Sequence, residues 1–154
     1  MDVFMDNAKV MAKGQITIPK DVRDVLGVSS GDRVTFIVEG PTVRMVNSAV
    51  YAMQMLQQDM AGEDERGRRE RPDTRNAQRG RRRMKVLIDT NILISAALSA
   101  GGTPFLAYVK AVTHPNRAVV CEQNLDELRR VFNRKFPTKL YAMERFLALA
   151  LTTI

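Results

Sequence analysis

Few side chains in this sequence could do chemistry, and their types narrow the choice quickly. One cysteine, Cys121, excludes an internal disulfide framework and a multi-cysteine zinc site. One histidine, His114, argues against a His-based catalytic triad or a multi-His metal site. Carboxylate chemistry, binding, or both remain. Asp89 stands out among the acids because it ends the run Met84-Lys85-Val86-Leu87-Ile88. That pattern reads as a buried parallel strand with an acid at its carboxyl end, where open α/β sheets place ligands. Among the bases, Lys9, Lys13, Lys20 and Arg23 could form one cationic face, on which each phosphate neutralised releases counterions. Gln15 and Thr17, on the outward face of the same stretch, and Arg23 are candidates for contacts to base edges. Arg33 and Arg44 are weaker candidates, since each could simply flank a strand. At a strand end, Cys121 reads as a small buried hydrophobe. In Thr113-His114-Pro115-Asn116, His114 reads as a solvent-facing turn residue. Gly101-Gly102-Thr103 is a loop break too short to cradle a phosphate.

The 154 residues carry a net charge of +7, with 45% apolar and 27% charged side chains, normal proportions for a soluble globular chain. No apolar run approaches the roughly 20 residues of a membrane span, and MDVFMDNAKV lacks the apolar core of a signal peptide. No membrane partner and a cytoplasmic location are therefore expected. The basicity is unevenly spread. Residues 1–61 hold six bases and seven acids, residues 62–83 nine and five, and residues 84–154 nine and five. Any DNA-binding claim for the N-terminal part must therefore rest on the placement of individual side chains.

Residues 62–83 contain no Ile, Leu, Val, Met, Phe or Tyr and cannot bury enough surface to offset their ordering entropy. This stretch reads as a disordered, Arg-rich linker, either a solvated tether or an arm adding phosphate affinity. Before it, Lys13-Gly14-Gln15-Ile16-Thr17-Ile18-Pro19 alternates as a strand, with Ile16 and Ile18 on one face and Gln15 and Thr17 on the other, and Pro19 ends it. Lys20 to Leu26 fits two helical turns with Val22, Val25 and Leu26 facing inward, and Gly27 stops them. Val34, Phe36 and Val38 alternate as a strand, Gly40-Pro41 turns the chain, and Val43 and Met45 alternate back. A helical stripe of Val50, Met53 and Leu56 follows over Ser48–Met60. Some forty residues of short strands and one small helix make too little core to stand alone, so this part is expected to dimerise. After the linker come helical patterns at Asn91–Leu98, Pro104–Val112, Asn124–Phe132 and Met143–Leu151, with a buried-type strand at Ala118–Cys121. Strands alternating with helices indicate α/β architecture.

The stretch Lys9–Val46 resembles the AbrB/MazE (SpoVT-AbrB) swapped-hairpin family. Lys13-Gly14-Gln15-Ile16-Thr17-Ile18-Pro19, Arg23, Leu26-Gly27 and Gly31-Asp32 carry the likeness, while Met11-Ala12 stand where family members often have a hydroxyl residue. The resemblance implies a homodimer in which two chains interleave hairpins into a small barrel whose basic face binds double-stranded operator DNA. It also implies an antitoxin that represses its own operon. The helix at Ser48–Met60 resembles an antitoxin arm that lays an apolar face into a toxin groove. It could equally cap the barrel or pair across the dimer.

From Met84 to Ala96, and again over Asn124-Leu125-Asp126-Glu127-Leu128-Arg129-Arg130-Val131, the chain resembles the opening of a PIN-domain toxin of VapBC-type pairs. The resemblance implies Asp89 as first acid, Glu127 as second, and a site for Mg²⁺ or Mn²⁺ that activates water on an RNA phosphodiester. After Glu127 the remaining acid is Glu144. The later acids and a further strand of a PIN fold are missing, so the segment reads as roughly half a domain and the metal site as incomplete.

The expected organisation is thus mixed. A dimeric, mainly β swapped-hairpin barrel over residues 1–47 is followed by a helical arm over 48–61, a linker over 62–83, and an incomplete α/β PIN-like segment over 84–154. The expected function is a DNA-binding transcription regulator of a toxin–antitoxin system that needs no cofactor and has a cognate PIN toxin as partner. The alternative is an Mg-dependent endoribonuclease completed by a partner chain, and a third reading makes the C-terminal half only a packing surface for a full toxin. Natural fusion, frameshift and engineering would all produce this join of the two parts.

Overall fold

A computed structural model describes residues 3–63 and 82–150. The linker expected at 62–83 lies mostly outside the described residues. The N-terminal part consists of helix α1 (Lys20–Leu26), strands β1 (Val34–Glu39) and β2 (Thr42–Asn47), and helix α2 (Ser48–Asp59). Beyond residue 82 come strand β3 (Lys85–Leu87), helices α3 (Thr90–Leu98) and α4 (Thr103–Val112), strand β4 (Arg117–Val119), and helices α5 (Glu122–Lys135) and α6 (Leu140–Ala150). Each expected helix is present, displaced at its ends by at most a few residues.

Local chemistry explains the elements. Gly27 ends α1 in the left-handed conformation at φ 65°, and its N–H bonds to Asp24 O at 3.2 Å. A Cβ at Gly27 would lie 3.0 Å from the Thr113 side chain, so glycine serves both the cap and a close approach. Strands β1 and β2 pair antiparallel with Glu39 opposite Thr42, which leaves Gly40-Pro41 as a two-residue turn. Gly40 at φ 56° followed by a proline suits the mirror-type turn that matches strand twist. Strands β3 and β4 pair parallel, Lys85 opposite Arg117 and Leu87 opposite Val119, and form a sheet of two strands.

Four readings differ in the single chain, each for a tertiary reason. Residues 13–19 are not a strand. Ala12–Gly14 form a single 3-10 turn, and Gln15 to Pro19 run on with no ladder partner among the described residues. An alternating pattern supplies a strand's faces but not its neighbour, and the described residues of this chain bring none alongside. Val25, expected to face inward, is 73% exposed, because only Val22 and Leu26 are half-buried on that short helix. Phe36, Val38 and Val43 are 56%, 69% and 58% exposed, so one apolar face of the hairpin meets solvent. No barrel forms from the described residues of this chain alone. Cys121 is also exposed, at the N-terminal boundary of α5, rather than buried.

The core lies elsewhere. Helix α2 and its C-cap Met60 insert Ala52, Met53, Leu56 and Met60 into one apolar cluster with Leu93, Tyr108, Phe132, Met143 and Phe146 from α3 to α6. Burying Met53, Leu56 and Met60 contributes on the order of 6 kcal/mol as an upper figure. Polar contacts fix the helix in register. Gln57 Nε2 donates to Ala96 O at 2.9 Å, Tyr108 Oη donates to Ala49 O at 2.8 Å, and Arg145 pairs with Asp59. Asn47 ties α2 to the N-terminal elements. Its Oδ1 accepts from Ala49 N and Val50 N at 3.0 and 3.4 Å, and its Nδ2 donates to Leu26 O at 3.1 Å. His114 N donates to Gly27 O at 2.8 Å, a second tie between the halves.

Burial pushes the Tyr108 phenol well above its usual value. The folded state therefore holds this proton where the unfolded chain releases it, and the corresponding stability is lost as pH rises above about 10. Tyr108→Phe is expected to remove that alkaline component and to cost about 1 kcal/mol at neutral pH through loss of its bond to Ala49 O, read by urea unfolding across pH. For Asn47, replacement by Asp keeps the cap and loses the bond to Leu26 O, whereas Ala loses both. The expected order of stability in thermal melts is wild type, Asn47→Asp, then Asn47→Ala, the last down by about 1–2 kcal/mol.

Candidate nucleic-acid interface and carboxylate pair

The six residues singled out for DNA contact are all exposed: Lys9, Lys13, Gln15, Thr17, Lys20 and Arg23. Lys13 sits at the tip of a tight turn closed by Met11 N to Gln15 O at 2.7 Å and Gly14 N to Met11 O at 3.2 Å. Its φ of 64° is unusual for a residue with a Cβ and costs about 1 kcal/mol. Lys20 opens α1 directly after Pro19, and Arg23 lies one turn on, its N–H bonded to Pro19 O at 2.9 Å. The four bases form no ion pair among the described residues. Asp21 and Asp24 share α1 with Lys20 and Arg23, however. The surface is therefore one of individually placed cations rather than a strongly positive field, as the segment charge implied.

At the other end of the chain, Asp89 caps α3, with Oδ2 accepting from Asn91 N at 3.1 Å. The next residue, Thr90, is buried, and its hydroxyl reaches Glu127 Oε2 at 3.0 Å and Asn124 O at 3.2 Å. Asn124 Nδ2 donates to Ile88 O at 3.1 Å. The end of β3 is thus clasped to the first turns of α5, and that clasp brings Asp89 and Glu127 into one neighbourhood. Both carboxylates already serve structural hydrogen bonds. Among the described residues no group of three or more His, Cys, Asp or Glu could hold a metal ion. Glu144 does not join the pair, since it binds Arg129 Nε at 2.8 Å across α5 and α6.

Sequence reasoning missed Thr90 and Asn124, the residues that join the two acids, and Asn47, which joins the two halves. Asn47-Ser48 ahead of an apolar stripe is a helix-start signal that could have flagged Asn47 as a cap. Its second bond, to Leu26 O, had no local signal. Thr90→Val is expected to destabilise the chain by about 1 kcal/mol, since it removes the hydroxyl that joins the end of β3 to α5. Asp89→Asn keeps an equally good cap and is expected to stay within about 0.5 kcal/mol. Urea unfolding of the two variants checks both.

Residues 8–46 match the family model for MazE, described as antidote-toxin recognition MazE, bacterial antitoxin. The match covers α1, β1, nearly all of β2 and the extended stretch before them. No curated protein and no solved structure matches the chain. No single helix among the described residues is long and apolar enough to cross a membrane. The N-terminal hairpin and its flanking helix α1 thus make up a MazE-type antitoxin domain at residues 8–46.

Proposed function

We propose that this chain is a cytoplasmic, DNA-binding regulator of the antitoxin type, which represses the operon of a toxin–antitoxin system. The observation that carries the reading is the MazE-type match over residues 8–46, where Lys9, Lys13, Lys20 and Arg23 are all exposed and unpaired among the described residues. A homodimer is part of the proposal. A second copy would cover the exposed face of Phe36, Val38 and Val43 and give the extended Gln15–Ile18 stretch a strand to pair with, and the two-fold axis would double the four cations. DNA binding of this kind requires no metal.

The antitoxin domain suggests a cognate toxin. Helix α2 is not free to reach one, because its apolar face is already buried against α3, α4 and α6. Releasing it would forfeit on the order of 6 kcal/mol, a penalty of roughly four decades in affinity. In this reading the C-terminal helices, a partial PIN-type segment, occupy in the same chain the place of a toxin. The juxtaposition of Asp89 and Glu127 about Thr90 favours one alternative, an Mg²⁺- or Mn²⁺-dependent endoribonuclease whose remaining acids come from a partner chain. Divalent-dependent RNA cleavage abolished by Asp89→Asn would support it.

Fluorescence anisotropy of the full chain against duplex DNA from upstream of its own gene tests the regulator reading. The expected result is sequence-preferring binding that weakens steeply with salt. Arg23→Ala and Lys13→Ala are each expected to weaken it and to flatten the slope of log K against log salt by about 0.9 for every phosphate left unneutralised. Lys13→Gly suits the left-handed backbone at that position and separates loss of charge from loss of the turn. Binding by both alanine variants indistinguishable from wild type at every salt concentration would refute these assignments.

A further inference from the structure

A cleft of about 680 Å³ lies where the loop before β1 meets β4, α5 and α6, and Lys13 is not among its lining residues. Its volume falls within the usual range for small-molecule sites. Three chemically different zones line it. Arg33, Arg83 and Arg117 come from the loop before β1 and from the starts of β3 and β4, and none is within ion-pair distance of a carboxylate among the described residues. The backbones of Arg33 and Arg117 are tied to the fold, with Ser48 N bonded to Arg33 O at 3.1 Å and Arg117 N to Met84 O at 2.8 Å. The floor is apolar, made by Val112, Ala118, Val120, Leu125 and Leu147. The acids at the cleft come mainly from α5 and α6: Glu122, Asp126 and Glu144.

The formal charges of the lining cancel, but they are not distributed evenly. Glu144 holds Arg129 by bonds of 2.8 and 3.4 Å and keeps its guanidinium above the usual range, with Asp126 a further 3.7 Å neighbour. Arg129 is thereby neutralised locally, and α5 and α6 present a net acidic edge. Asp32, the one acid on the loop side, is turned into its own loop, accepting from Ser29 N at 2.8 Å. The arginines of the loop and of β3 and β4 therefore keep their charge available.

The geometry points to a nucleoside phosphate as the ligand of this cleft. Arginine forks suit phosphate oxygens. The apolar floor suits the flat face of a base, and the acidic edge of α5 and α6 suits the amino or imino donors that a base carries. A simple inorganic anion would use only the first zone, and an apolar ligand only the second. This assignment is independent of the DNA-binding proposal.

Isothermal titration of the full chain with ADP tests it, with inorganic pyrophosphate as the probe for the phosphate zone alone. The expected result is one ADP per chain, tighter than pyrophosphate, with Arg33→Gln and Arg117→Gln each weakening ADP by roughly tenfold or more. Circular dichroism of the variants confirms that they are folded. The Lys13→Ala variant is expected to bind ADP as wild type does, which separates this cleft from the DNA surface. Displacement of ADP by a 5′-phosphorylated dinucleotide would identify a strand end as the source of the nucleoside phosphate, and failure of displacement would identify a free nucleotide. ADP binding that is absent, equal to that of pyrophosphate, or unchanged in both folded arginine variants would overturn the assignment.

Discussion

The burial of helix α2 is the interaction on which the rest of the structure depends. Its stripe of Ala52, Met53, Leu56 and Met60 supplies part of a core whose other members lie on α3 to α6. Without it, the helices after residue 90 would expose an apolar face. With it, the described halves of the chain share one hydrophobic cluster. Two parallel strands of three residues each could not organise such a layer, so helix packing does it instead. Methionine suits this role, because its unbranched side chain fills irregular gaps between helices that cross at different angles.

That shared core bears on how the MazE-type domain and the helical layer relate. The MazE-type domain is joined to α2 with no spacer, since β2 ends at Asn47 and α2 begins at Ser48. Asn47 is at once the last residue of the strand, the cap of the helix and the donor to the end of α1. Ser48 adds a 2.7 Å bond to Thr35 on the neighbouring strand. The orientation of α1 and the hairpin is therefore fixed relative to the helical layer by hydrogen bonds in a half-buried setting, where each is worth more than at the surface. The cleft between the loop before β1 and the α5–α6 pair is a direct product of the same junction.

The clasp at the end of β3 shows how the two carboxylates acquire their position. Asp89 and Glu127 are 38 positions apart, and the bonds that position them run through other residues. Thr90, buried between them, and Asn124, bonded to the strand, do the joining. A pair held in this way has a structural duty, capping α3 and holding α5, that accounts for the arrangement without any reaction. Any chemistry there requires ligands beyond the described residues of this chain.

Local features of this protein were legible from the residues alone. Apolar patterning marked each α-helix among the described residues, Gly27 and Gly40-Pro41 marked the stop and the turn, and the motif from Lys13 to Asp32 marked the MazE-type domain. Each of these is decided within a few residues by backbone conformation or by side-chain periodicity. The tertiary structure decided what lies opposite each face. It left Val25, Phe36 and Val38 in solvent, gave the stretch from Gln15 to Ile18 no partner strand among the described residues, exposed Cys121, and sent the stripe of α2 into the helices of its own chain. Those outcomes depend on contacts between residues tens of positions apart. Periodicity tells a side chain which face it shares, but only long-range packing determines what, if anything, covers that face.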